Sequence, residues 1–215
     1  MNRLPVIVRQ HIAGFRALLV FTVLCGLIYP AVMTGVGQLA FHNQANGSMV
    51  SFNGHDVGSA VLCQEFTDAK GNPLPQYFQP RPSAAVDATS KTDYGCNPLF
   101  SAASNLGPNN PDLVQLIKQR QQAIAAFDHV TVSQIPPDAV TASGSGLDPN
   151  ISPQNAAIQV DRVAAARHLP VSTVKDLVAT YTQGRVLGFL GEPAVNVLKL
   201  NIALDQLSAK SAAKS

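Results

Sequence analysis

The pattern of apolar and polar positions divides the chain in two. Residues 17–41 (ALLVFTVLCGLIYPAVMTGVGQLAF) are almost wholly apolar, and no Lys, Arg, Asp or Glu occurs between Arg16 and Asp56. At about 1.5 Å of rise per residue such a stretch reaches roughly 37 Å, enough to cross a hydrocarbon core of about 30 Å. The pattern predicts one transmembrane helix over residues 15–41, preceded by a short segment, 1–14. A cleaved secretory signal has a shorter apolar region, about 7–15 residues, and ends on a small-x-small site. This stretch closes on Leu39-Ala40-Phe41 and reads as a retained anchor. Pro30, Gly35 and Gly37 are tolerated in a membrane helix whose neighbours cover the freed backbone; the glycines read either as ordinary membrane glycine or as a close-approach face for a partner helix.

Beyond the span the period changes. Met49-Val50-Ser51-Phe52, bracketed by Asn46-Gly47 and Asn53-Gly54, reads as a hairpin strand, and residues 59–66 (SAVLCQEF) as a second one. Residues 68–82 are a Gly/Pro-rich loop, and 80–111 a long coil of the kind that is functional or pinned in a compact domain. From Asn110-Pro111 the pattern turns helical, with Leu113, Leu116, Ile117, Ile124 and Phe127 on one face. Ser152-Pro153 opens another helix with Ala156, Ala157, Val160, Val163 and Ala164 inward and Pro170 as its stop. Ser172 caps a third, carrying Val174, Leu177, Val178 and Tyr181 and ended by Gly184. Residues 143–149 (SGSGLDP) read as a flexible turn, 193–207 as either a strand entering a helix or one longer strand, and 208–215 as a frayed tail. The expected architecture is a single N-terminal transmembrane helix followed by one α+β extracytoplasmic domain, 42–207.

Charge adds an orientation. Arg3, Arg9 and Arg16 precede the span and residues 42–55 carry no Lys or Arg, which predicts a cytoplasmic N-terminus and an external domain. With those three removed from the 15 basic residues, 12 remain against 13 acidic ones, so the domain is nearly neutral and offers no basic surface for nucleic acid. An external, oxidising setting would allow Cys63 and Cys96 to bridge, closing a loop of 33 residues, whereas Cys25 lies within the span. No CxxC, HxxxH, phosphate-binding GxxxxGK[ST] or GxSxG pattern occurs, and the five histidines lack metal-ligand spacing. Ser143 and Ser145, set among glycines, read as turn serines, and no catalytic motif is expected of this chain alone.

Several blocks follow one another in order: QANGS (44–48), YFQPRPSA (77–84), SNLGPNNP (104–111), TASGSGLDPNISP (141–153), RVAAAR (162–167) and GEPAVNVLKLNIALD (191–205). Behind a single span, this succession resembles the C subunit of the bacterial Kdp potassium-transporting ATPase over about residues 15–207. The resemblance implies a non-catalytic accessory subunit of a potassium importer in the bacterial inner membrane, its domain periplasmic. It implies as partners a channel-like potassium-binding subunit, a P-type ATPase catalytic subunit and a small single-span subunit. It also implies a catalytic chaperone that raises the ATP affinity of the hydrolysing subunit; ATP is implied by that resemblance only, and no cofactor follows from the residues themselves. A cytoplasmic nucleotide would not reach an external domain, so any such effect is expected to travel through helix contacts. The chain departs from the family pattern at Cys63, Cys96 and residues 69–76, which look like additions, and at Lys199, where an acidic residue is expected.

Both readings single out Tyr77, Phe78 and Arg81, aromatic area and a planar cation on a Pro-restrained loop, as interface anchors or as loop packing. Asn105, Gly107, Ser143, Gly144, Ser145, Gly146, Asp148 and Asn150 are turn formers or partner contacts. The alternatives are a membrane-anchored hydrolase using Ser143 or Ser145, and an anchored binding module for a small polar ligand in the 80–111 coil.

Overall fold

The computed structural model describes residues 5–90 and 94–212, which fall into two compact units that meet between Ser48 and Met49. Arg3, residues 91–93 of the long coil and residues 213–215 of the tail lie outside the described residues.

The first unit is the apolar helix. It runs from Val6 to Ala40 as α1 (Val6–Val23), a π-helical turn (Leu24–Ile28) and α2 (Tyr29–Ala40), and none of it is buried by the rest of the chain. It begins at Val6, ahead of the expected residue 15, because residues 6–14 contain only Arg9 as a charge and nothing that breaks a helix. The π turn sits one turn ahead of Pro30, which has no N–H to give; the Tyr29 N–H reaches back five residues to the Leu24 carbonyl. Phe41 leaves helical geometry, a one-turn α3 (His42–Ala45) follows, and the Asn46 amide closes the unit on the His42 carbonyl at 2.6 Å and on Gln38 Oε1 at 3.0 Å.

The second unit is a mixed α/β domain. Asn53 and Gly54, both with positive φ, turn β1 (Met49–Phe52) into β2 (His55–Ser59). That two-residue turn fixes where pairing starts, so the second strand lies at His55–Ser59, and of the strand expected over 59–66 only Ser59 is strand, the rest being turn and coil. α4 (Pro111–Asp128) is capped by the Asn110 side chain, which accepts from the Asp112 N–H, and shows the predicted half-buried face. A short 3₁₀ turn (Val132–Gln134), α5 (Pro137–Val140) and β3 (Asn150–Ile151) lead to α6 (Pro153–Arg167). Ser152 caps α6 by accepting from the Asn155 N–H, and the helix ends on His168 in the left-handed region, two residues before Pro170. α7 (Val171–Tyr181) has Pro170 at its N-cap; Ser172 lies inside the first turn and does not cap it, and Thr182, not Gly184, ends it.

β4 (Thr182–Gln183) and β5 (Ala194–Asn196) complete an antiparallel sheet in the order β3-β5-β4, and β5 passes directly into α8 (Val197–Ala212). Residues 193–207 are thus a strand entering a helix. The helix continues through residues 208–212, where Ala and Lys favour it, instead of fraying. The core joins Phe78, Ile151, Ala156, Val160, Val163, Val174, Val195, Leu200 and Leu204. Ala157, expected inward, is exposed; the buried face of α6 carries Asn155, Gln159 and Arg162 in its place.

Candidate functional site

Residues 75–81 (PQYFQPR) cross the core with prolines on both sides, which prevents a regular ladder and leaves a buried backbone in need of partners. Side chains of α6 and α8 supply them. Asn201 accepts from the Phe78 N–H and donates to the Phe78 carbonyl, both at 2.9 Å. Gln159 does the same for Gln79, at 2.7 and 3.2 Å. Arg162 Nη1 donates to the carbonyls of Pro75 (2.7 Å) and Tyr77 (2.9 Å), and Arg167 Nε to that of Gln76 (2.6 Å). Phe78 is therefore wholly buried as a core side chain, which removes it as an exposed interface anchor. Tyr77 lies under the Arg167 guanidinium, 4.8 Å from ring centre to Cζ, and its hydroxyl donates to Asp205 at 3.3 Å.

Arg162 is the hub of this clamp. Its Nε donates to Asp128 at 2.6 Å, its Nη2 to Gln159 at 2.8 Å, and its guanidinium stacks over Phe127 at 4.3 Å. Burial pushes the Asp128 carboxyl above its ordinary value and the Arg162 guanidinium below its own, so for both partners desolvation outweighs their attraction. The chain of polar groups continues from Gln159 to Asn155 (3.0 Å) and from Asn155 to Asp138 (3.0 Å), which also accepts from Ser152. Asn155, Gln159 and Arg162 were not among the expected site residues. The legible signal was three polar residues at helical spacing on the face that carries Ala156, Val160 and Val163.

The 143–149 segment is pinned, not flexible. Arg81 Nη1 pairs with Asp148 at 3.0 Å and Nη2 donates to the Thr141 carbonyl at 3.3 Å, while Asp148 also accepts from the Asn150 N–H. The Leu147 carbonyl accepts from the Cys63 N–H, the Ser145 carbonyl from Ala102, and the Gly146 carbonyl from Ser83 Oγ. A disulfide joins Cys63 to Cys96, with Cα atoms 5.4 Å apart. Gly146 has a φ of +72°, and a Cβ there would stand 2.6 Å from the Ala102 carbonyl oxygen and 2.8 Å from the Ala85 nitrogen. Gly146→Ala is accordingly expected to cost about 1–3 kcal/mol, read as a lowered thermal midpoint, whereas Gly144→Ala, with open space around it, should leave the midpoint within error.

The serines lack the surroundings of a nucleophile. Ser143 Oγ is buried with no hydrogen-bond partner, and Ser145 Oγ accepts from the Leu147 N–H; neither touches a histidine among the described residues. Asn105, at a φ of +52°, and Gly107 are exposed ahead of α4, where the Gly107 carbonyl accepts from the Asn110 N–H.

Two further features were not foreseen. Between β4 and β5 the chain forms a hairpin closed by Val186 and Leu190, each N–H bonded to the other's carbonyl at 2.9 Å. Leu187 and Gly188 turn it with positive φ, and Val186, Leu187, Phe189 and Leu190 stand out into solvent, Leu187 at 79% exposure. A left-handed Leu costs about 1–2 kcal/mol, so this apolar tip is held against its own strain. The sequence cue was an apolar VLGFL run between Gly184 and Gly191. The second feature is a cavity of about 630 Å³ walled by α4, residues 65–82, Tyr94 and Gln159 of α6.

An apolar helix of membrane-spanning length precedes a small α/β domain whose buried polar side chains hold its own loops and which presents an apolar hairpin tip to solvent, the class of a membrane-anchored domain. A family model described as "KdpC: K+-transporting ATPase, c chain" matches residues 11–206. The chain is 50% identical over 198 residues to the potassium-transporting ATPase KdpC subunit of Kineococcus radiotolerans, covering 92% of this chain and 94% of that one. It is 49% identical over 190 residues to the same subunit of Methylococcus capsulatus (88% and 94% covered) and 46% over 200 residues to that of Mycobacterium tuberculosis (93% and 99%). The chain belongs to the KdpC family, the C subunits of potassium-transporting ATPases.

Proposed function

We propose that this chain assembles and stabilises an ATP-driven potassium importer, with a channel-like potassium-binding subunit, a P-type ATPase subunit and a small single-span subunit as its partners. The observation that carries the reading is the family match across residues 11–206, which includes both the apolar helix and the domain. Arg9 and Arg16 against the charge-free 42–55 stretch support a cytoplasmic N-terminus and a domain outside, periplasmic in a bacterium with two membranes. In that orientation the chain raises the ATP affinity of the hydrolysing subunit as a catalytic chaperone through subunit contacts, without holding nucleotide itself.

The apolar hairpin at 186–190 is the surface that docks on a partner subunit. Fully covering one Leu or Phe side chain is worth about 1.5–3 kcal/mol. The double variant Leu187→Ser/Phe189→Ser should therefore reduce recovery of the ATPase and channel-like subunits with the tagged chain by about tenfold or more. Because both side chains are exposed, unfolding stability should move by less than about 0.5 kcal/mol. Wild-type chain purified from native membranes as a solitary monomer would overturn the reading.

A further inference from the structure

We propose that the 630 Å³ cavity beside α4 binds a small amphipathic monoanion, a single carboxylate or sulfonate on a flat or short apolar body, with Arg120 as its counter-ion. Small-molecule sites have volumes of about 300–1,000 Å³ and apolar walls with a few polar groups. Here the apolar walls are Pro80, Pro82, Tyr94, Ile124 and Phe127.

The wall charges select the ligand. Arg81 is paired with Asp148, Asp128 is paired with Arg162, and Glu65 is likewise engaged. Arg120 stands apart: it makes one hydrogen bond, from Nη1 to the Val140 carbonyl at 2.8 Å, and no ion pair among the described residues. A guanidinium has five N–H donors in a planar fork that matches a carboxylate, so most of its capacity is unused. Its partial burial lowers its pKa, which shows the charged form is held at a cost that an anion would relieve. One unpaired cation calls for one negative charge. The carboxylates of Glu65 and Asp128 on the same wall disfavour a polyanion such as a polyphosphate.

The test uses the full-length protein in lipid nanodiscs, titrated with naphthalene-2-sulfonate as the probe and 2-methylnaphthalene as its uncharged counterpart. Saturable binding of the sulfonate only is expected, weakened about tenfold or more in R120Q, since a hydrogen bond to a charged group is worth about 1.5–3 kcal/mol. R120K, which keeps the charge without the planar fork, should retain only part of it, and Ile124→Trp, which fills the apolar part and leaves Arg120 in place, should abolish it. Displacement of the probe by octanoate is expected, and displacement by lyso-phosphatidylglycerol alone, a phosphodiester on a long chain, would overturn the proposal. Equal affinity in wild type and R120Q, equal affinity for the uncharged counterpart, or undiminished binding in Ile124→Trp would overturn the proposal.

Discussion

Arg162→Met is expected to lower the unfolding free energy of the α/β domain by about 3–5 kcal/mol, because removing one partner of a buried pair strands the other charge. Arg162 and Asp128 are each only 5% exposed, and the substitution leaves Asp128 without a counter-ion. It also removes donors from the carbonyls of Pro75 and Tyr77 and from Gln159. Replacing a buried ion pair by apolar residues is often neutral. Here the double variant Asp128→Leu/Arg162→Met should still be destabilised, because the Pro75 carbonyl loses its donor and the Tyr77 carbonyl keeps only a 3.4 Å contact from Gln79 Nε2, while Gln159 Oε1 retains the Gln79 N–H. Arg162→Lys should recover only part of the loss, since one ammonium cannot reach four acceptors on different sides. Urea unfolding of the full-length chain in detergent, followed by far-UV circular dichroism because the chain has no Trp, reads all three.

The same substitution carries a pH signature. Burial already holds the folded Asp128 value above the unfolded one, and Arg162 is the main influence opposing it. Without Arg162 the folded value climbs further. A group whose folded value is raised contributes stability below its unfolded value, and that stability is lost as pH rises through the folded value. The deficit of Arg162→Met should therefore be smallest in acid and grow towards neutral pH. A pH-independent deficit would show that lost packing, not the stranded carboxylate, dominates.

Local chemistry was legible where neighbours in sequence decide the outcome. Asn110-Pro111 and Ser152-Pro153 each place an oxygen acceptor before a proline with no N–H to satisfy, and both open helices where expected. Asn53-Gly54 marks its turn because both residues accept positive φ, although the strand it dictates begins four residues before the one expected at Ser59. Of the features decided by distant chain, the Cys63–Cys96 bridge was legible from the paired cysteines and the external setting, but the packing around it was not. Residues 143–149 look flexible by composition, yet Gly146 is there because Ala85 and Ala102 approach too closely for any Cβ. Phe78 on a proline loop has the look of an exposed anchor, and only Asn201, 123 residues away, draws its backbone into the core. Arg162 is the sharpest case, since an arginine among alanines on a helix reads as solvent-facing until Asp128 and the 75–77 carbonyls are brought to it. Of the candidate residues, Arg81, Ser143, Ser145, Gly146 and Asp148 do converge on one pinned loop, whereas Asn105 and Gly107 lie apart from it.

Breaking the Cys63–Cys96 bridge is expected to cost ~3–4 kcal/mol, from the loop-closure entropy of the 33-residue separation. The closed loop contains Tyr77, Phe78 and Arg81, so the bridge and the α6–α8 clamp restrain the same segment from two sides. Cys63→Ala/Cys96→Ala should show this loss, and wild type treated with a thiol reductant should fall to the level of the variant. If reduced and oxidised wild type unfold alike, the hydrogen bonds from Ser83 to Gly146 and from Cys63 to Leu147 already fix the loop, and the bridge adds nothing. The bridge also reports where the domain sits, because a reducing cytoplasm would keep both thiols free. Cells quenched in acid and labelled with a maleimide-polyethylene glycol under denaturing conditions should show one modified cysteine of the three, Cys25, and all three only after reduction. Three modified cysteines without reduction would place the domain on the cytoplasmic side, where it could meet nucleotide directly, and would reverse the orientation read from the arginines.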